Sequence, residues 1–186
     1  MIDEIKRYTP WDEKEAAEKE MMLQFLQVHG DALERSCLAG HVTVSAWVVN
    51  LEHTKVLMAY HNLYDSWAWL GGHADGCADP LDVAIKETCE EAGLEMGDLN
   101  IPTGEIFSLE VLPVDGHVKK GQWVPSHLHL NLTYLLEAPE ECTLKVNEEE
   151  NSDVAWFTFD DAMKASKEPW FVEHIYSKLV KKLKEN

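Results

Sequence analysis

The chain has 186 residues, 45% of them apolar, which suits one core-bearing domain with a small appendage. A formal net charge of −18 argues against a nucleic-acid or anionic-membrane surface, because a phosphate backbone needs a basic footprint. A small phosphorylated ligand stays open, since a bound cation can supply local positive charge.

The first predicted element is an amphipathic helix over residues 12 to 28. Trp11, Ala16, Met22, Phe25, Leu26 and Val28 recur at roughly helical spacing among Glu and Lys, and Gly30 ends it. Residues 1–38 read as a helical extension packed on a domain of residues 39–186. Strands follow at His41 to Val49, at Lys55 to Tyr60 and, briefly, at Trp67 to Leu70, which leads into a glycine pair.

Asp79 then offers a helix N-cap, Pro80 suits the first helical position, and Gly93 is a natural stop. Leu81, Ile85, Thr88 and Ala92 make the less polar face of this helix. Glu87, Glu90 and Glu91 share the other face. Like charges at three and four residues repel, and hard divalent cations prefer clustered carboxylate oxygens. Taken alone, the three glutamates fit a solvated acidic face as well as a metal site.

Glu105 to Pro113 and His127 to Glu137 are expected to pair antiparallel across a loop, Val114 to Ser126, that contains Gly116 and Gly121. Val154 to Phe159 is a last core strand. Asp160 to Ala165 begins a helix, and Pro169 to Lys184 forms the C-terminal one, with Phe171, Ile175, Leu179 and Leu183 on one stripe. The result is an α/β sandwich built on a mixed sheet. No stretch is long enough to span a membrane. The four cysteines, Cys37, Cys77, Cys89 and Cys142, lack metal-finger spacing, and with no secretory segment at the start they read as reduced thiols of a cytoplasmic protein.

The segment from Gly72 to Leu94 resembles the Nudix box, whose pattern is Gly, five residues, Glu, seven residues, Arg-Glu-aliphatic-any-Glu-Glu-any-Gly-aliphatic. Gly72, Glu87, Glu90, Glu91, Gly93 and Leu94 stand at the required spacing. Ala78 replaces the first Glu, Lys86 the Arg and Thr88 an aliphatic residue. Gly40-His41-Val42-Thr43 and Gly71-Gly72-His73-Ala74-Asp75-Gly76 are similar to signatures of a bacterial Nudix subgroup in which the first Glu is often absent.

The resemblance implies a Nudix-type α/β/α sandwich and hydrolysis of a diphosphate bond in a nucleoside diphosphate linked to another moiety. It implies Mg²⁺ or Mn²⁺ held by the Gly72 carbonyl with Glu87, Glu90 and Glu91, the same glutamates serving as the catalytic set. It also allows a homodimer and predicts no nucleic-acid polymer and no membrane as partner. The general base stays open among Glu87, Glu91, Glu148, Glu149, Glu150, His127 and His129.

His73, inside the glycine loop, and Lys86 are expected near phosphate. The loop from His117 to Trp123 combines cations with an aromatic, so Lys119 and Trp123 are further substrate-binding candidates, while Trp67 and Trp69 suit the core. His127 and His129 project to the same side of one strand. Two partly exposed strand histidines are the plainer reading of that pair; a second metal ligand set is the alternative. His41 carries no strong signal.

Two other functions compete. An isopentenyl diphosphate isomerase shares the fold but needs a reactive Cys facing a Glu, and neither Cys77 nor Cys89 stands where that nucleophile would be expected. A catalytically weakened nucleotide-binding module is motivated by Ala78 and Lys86.

Overall fold

The computed structural model of the chain describes residues 1–119 and 121–185. Lys120, in the predicted cationic loop, and Asn186 lie outside the described residues. Two N-terminal helices, α1 (Ile2–Arg7) and α2 (Glu13–Val28), precede strands β1 (Gly40–Val49), β2 (Lys55–His61), β3 (Ser66–Ala68) and β4 (Leu70–His73). Helix α3 (Pro80–Ala92) leads to β5 (Ile106–Val114), a small hairpin of β6 (His117–Lys119) and β7 (Gln122–Val124), then β8 (His127–Glu137) and β9 (Asn151–Thr158). Helix α4 (Phe159–Ala165) and a final helix close the chain.

The main sheet is mixed. β1 pairs parallel with β8 along its whole length, and β8 pairs antiparallel with β5. The other edge of β1 is shared: β4 takes Thr43 to Ala46, and β2 takes the far end at Val49. β9 and β3 complete the sheet on β2. Every residue of β1 is buried because helices cover both faces. Side chains alternate, so Val42, Val44, Ala46 and Val48 face the core beneath α3, together with Val83 and Ala84. Trp47 and Val49 face a second core with Ile175, Tyr176 and Leu179 from the C-terminal helix. This is the α/β/α sandwich on a mixed sheet expected from the sequence.

Some boundaries differ. The strand expected at 67–70 breaks at Trp69 into β3 and β4, because β3 pairs with β2 while β4 pairs with β1. The loop after β5 contains the β6–β7 hairpin. Helix α1 was not anticipated, and its Ile5 is a core residue.

On α2, Met22 is core and Phe25 and Leu26 pack against it, but Val28 is 75% exposed. Glu15, on a polar stretch of the same helix, is fully buried. The C-terminal helix runs as α5 (Pro169–Phe171), a π turn (Val172–Tyr176) and α6 (Ser177–Glu185). A strict four-residue repeat drifts around a regular 3.6-residue helix, and the wider π turn takes up part of that drift. Ile175, Leu179 and Leu183 consequently all stay buried.

Candidate functional site

Helix α3 forms as its sequence dictates. The Asp79 side chain accepts hydrogen bonds from the Leu81 and Asp82 backbone N–H groups, Pro80 opens the first turn, and Gly93 ends the helix at φ +68°. A Cβ at Gly93 would meet the Lys145 side chain at 2.5 Å, so close approach and the left-handed conformation both require glycine. Val83, Ala84, Ile85, Thr88 and Ala92 anchor the helix on the sheet. That anchoring sets the directions of the three glutamates, which turn out to differ.

Glu87 lies against the glycine loop. A Cβ at Gly72 would stand 2.5–2.8 Å from its carboxylate atoms, so the side chain occupies the space that only glycine leaves free. Burial raises its pKa, and the nearby charges of Glu90 and Glu150 add to the rise while Lys86 opposes it.

Glu91 is 3% exposed and turned inward. Its two oxygens accept from the Gly71 N–H at 2.8 Å and the Asn151 side-chain amide at 3.0 Å. Burial pushes its pKa up to about 7 against those hydrogen bonds. Glu90 is half exposed, and Lys86 reaches it at 3.1 Å and Glu87 at 3.2 Å. Lys86 thus spans two carboxylates as a point charge, without the fork of an arginine.

A cleft of about 350 Å³ opens beside this helix, lined by His73, Asp75, Cys77, Lys86 and Glu87 among others. Asp75 adopts φ +45°, a left-handed conformation that Asp tolerates, and Arg35 grips it through two hydrogen bonds of 2.6 Å. Arg35 comes from the segment before the first strand and is close enough to Glu87 and Glu150 to feel their charge. Nothing local in the sequence pointed to it. Asn151 was equally unmarked, although it follows the acidic run 148–150. Cys77 shares the cleft, and its thiol donates to the Asp79 carbonyl at 3.4 Å. All four cysteines are free.

On the opposite face from Gly72, His73 joins three other histidines. His41 pairs in register with His129, and His73 with Thr43, so the alternation of strands sends His41, His73, His127 and His129 to one side. Ring centroids lie 5.0 Å apart for His41–His73, 4.8 Å for His41–His127 and 4.9 Å for His73–His129. His127 and His129 are strand histidines short of full burial, as the plainer reading of the pair has them, but they do not stand alone. His41, 5% exposed, belongs to their group, brought there by the parallel β1–β8 pairing that a sequence does not reveal. Burial and the neighbouring Arg35 hold His73 at a pKa of about 3, and burial and the adjacent histidines hold His129 at about 2, so both are neutral.

Lys119, at the end of β6, is near enough to His73 to oppose its protonation. Trp123 is 68% exposed on β7 and covers Gly116. Trp67 and Trp69, half-buried, pack against the second core.

Two groups among the described residues bring three donor atoms within 4.8 Å of one another: His41, His127 and His129, and separately His29, Asp31 and Cys37. The box glutamates are not among them, since Glu91 points to Gly71 and Asn151 rather than to Glu90. No helix among the described residues is long and apolar enough to cross a membrane.

Comparison with known proteins agrees with this geometry. Structural likeness extends to an Ap4A hydrolase from C. elegans in a binary complex, with a TM-score of 0.55, 19% identity, and 77% of this chain and 95% of that chain covered. It extends to a Nudix hydrolase from M. smegmatis, at TM-score 0.54 and 18% identity over 78% of this chain and 85% of that one. A third is the dihydroneopterin triphosphate pyrophosphohydrolase of E. coli, at 0.55 and 16% over 75% and 94%. These identities speak for a shared fold. No curated protein matches the chain. The NUDIX domain model matches residues 40–179, from the first residue of β1 into α6. The chain therefore belongs to the Nudix family of pyrophosphohydrolases.

Proposed function

We propose that the protein hydrolyses the diphosphate bond of a nucleoside diphosphate linked to another moiety, using Mg²⁺ or Mn²⁺. The observation that carries this reading is the Glu87 carboxylate seated against Gly72, on a helix rigidly capped at both ends. The donor set is all oxygen and mostly carboxylate, as a hard divalent ion requires. The Gly72 carbonyl, Glu87, Glu90 and Glu91 would hold it. When bound, such an ion neutralises phosphate charge and lowers the pKa of an attacking water.

The chain's own groups divide the remaining work. Glu91 is held by Gly71 and Asn151, which fixes the turn from β4 against α3 and so positions the Gly72 carbonyl. Glu87, whose carboxylate fills the space beside Gly72, is the best-placed proton acceptor, with Glu150 near enough to raise its pKa. Lys86 and His73, at the cleft, would contact phosphate oxygens, and Lys119 would add charge from the hairpin. Trp123 offers an exposed ring for a base. The Ap4A hydrolase and the dihydroneopterin triphosphate pyrophosphohydrolase of similar fold support a phosphoanhydride substrate of this kind. The cytoplasm and a homodimer belong to the same reading.

A panel of dinucleoside polyphosphates, nucleotide sugars and nucleoside triphosphates, assayed with Mg²⁺ and Mn²⁺, tests it. Metal-dependent turnover is expected, with a loss of about 100-fold or more in kcat for Glu87→Gln, the scale of a lost general base. Tight nucleotide binding by calorimetry without turnover of any panel member would replace the hydrolase by a binding module.

A further inference from the structure

The histidine cluster is chemically unlike the box. It contains no carboxylate, and it lies on the other face of β4. Its donor atoms converge: the Nε2 atoms of His127 and His129 are 3.2 Å apart, and one nitrogen from each of His41, His127 and His129 falls within 4.8 Å of the others. Two nitrogens bound to one tetrahedral zinc at about 2.0–2.1 Å would stand about 3.4 Å apart.

For His41 and His127 the outward nitrogens are already committed. His41 Nδ1 faces the Cys37 carbonyl at 3.3 Å and His127 Nδ1 faces the Pro125 carbonyl at 2.9 Å. A carbonyl can only accept, so each Nδ1 carries the hydrogen and each Nε2 turns a lone pair inward. This is the arrangement in which outer-shell carbonyls orient histidine ligands. His41 Nε2 is buried and has no hydrogen-bond partner, an unusual and costly state for a polar atom.

We propose that His41, His127 and His129 form a second, zinc-class metal site, with three imidazole ligands and a fourth position bordered by His73. Imidazole donors suit Zn²⁺, Co²⁺, Ni²⁺ or Cu²⁺ and disfavour Mg²⁺. Three protein ligands with one position left over are the pattern of a site that admits water or an anionic oxygen. His73 borders that position from β4, with its ring 5.0 Å from His41 and 4.9 Å from His129, and it also lines the cleft beside Glu87. The site does not depend on the box glutamates or on the hydrolase reading.

The test uses full-length protein stripped with chelator and titrated with Co²⁺ and Zn²⁺. One equivalent of Co²⁺ should give visible absorption of tetrahedral intensity, displaced by Zn²⁺. His129→Ala and His41→Leu should weaken binding by more than the roughly 10- to 100-fold that loss of an outer-shell partner costs. Glu87→Gln and Glu91→Gln should leave it unchanged, which separates this site from the box. Nitrogen-15 spectra of the wild-type imidazoles provide a readout that needs no variant to fold: Zn²⁺ should shift the Nε2 signals of His41 and His127 while each Nδ1 keeps its hydrogen. Equal Co²⁺ binding by the histidine variants, loss of binding in the glutamate variants alone, or unshifted imidazole nitrogens would each overturn the proposal.

Discussion

Two polar clusters lie side by side on one face of the central sheet, and one is closed where the other is open. The closed cluster begins two residues along from the histidines on β1 and β8. Asn131 accepts from Thr43 and Ser45 through its oxygen and donates to Glu110 and Thr133 through its nitrogen, which exhausts the amide. Glu110 then meets Lys178, and Lys178 meets Glu15 at 2.8 Å. Lys182 reaches both Glu15 and Tyr8. Two buried acids face two buried lysines, so the charges balance, and the network ties α2 and α6 to the sheet. The histidine cluster rests on the same two strands, β1 and β8, and is less buried, yet His41 Nε2, itself buried, is left without a partner. A fold able to satisfy every group of the first cluster did not need to leave an orphan in the second. The contrast assigns the first to structure and the second to a ligand.

The largest effect should come from breaking the closed cluster. Lys178→Met leaves Glu15 and Glu110 buried with one cation fewer, and removing one partner of a buried pair costs about 3–5 kcal/mol. Urea unfolding measures this; a loss under about 1 kcal/mol would mean that water already shares the network. Acid should act on the same place. Burial alone would raise the Glu15 pKa, but Lys178 and Tyr8 carry it from an ordinary 4.5 down to about 2. A depressed carboxylate pKa gives stability that is present above the unfolded value and lost as pH falls through the folded one. The stability gap between wild type and Glu15→Gln should therefore hold steady above pH 5 and shrink between about pH 4.5 and pH 2. A gap independent of pH would show that Glu15 is not held ionised by its lysines.

How far the sequence reached depended on the range of the forces involved. Helix α3 was legible in detail because Asp79, Pro80 and Gly93 act on their own turn, and β1, β2 and β8 were legible because short apolar or alternating runs mark strands wherever they pair. The placement of Glu91 was not, since it depends on Gly71 and on Asn151, sixty positions away. Glu15 reads as one more acid on a charged helix; Lys178 and Lys182, far along the chain, make its burial tolerable. The histidines show the same limit. His127 and His129 announce their shared side by alternation, but His41 joins them only through a parallel pairing, which leaves no local trace.

Smaller substitutions sharpen the contrast between the clusters. Ser45→Ala removes one of the two donors to the Asn131 oxygen, at 3.0 Å, and leaves Thr43 to satisfy it, so a loss of about 0.5–1.5 kcal/mol is expected.

The open cluster should lose least of all while it is free of metal. His41→Leu removes the orphaned Nε2 outright and forfeits one hydrogen bond, at 3.3 Å, to a Cys37 carbonyl that the Gly40 N–H still satisfies. A near-equal apolar volume takes its place, so the chelator-treated variant should match the treated wild type to within about 1.5 kcal/mol in either direction. Zinc should then separate them. A ligand that binds only the folded state at about 100 times its dissociation constant adds about 2.7 kcal/mol of stability, and only a chain with the imidazole set intact can gain it. Thermal unfolding with and without Zn²⁺, run on both proteins, reads this directly. If His41→Leu unfolds several kcal/mol more easily in the absence of metal, His41 belongs with Glu15 and Lys178 as part of the frame, and the two clusters do not differ in kind.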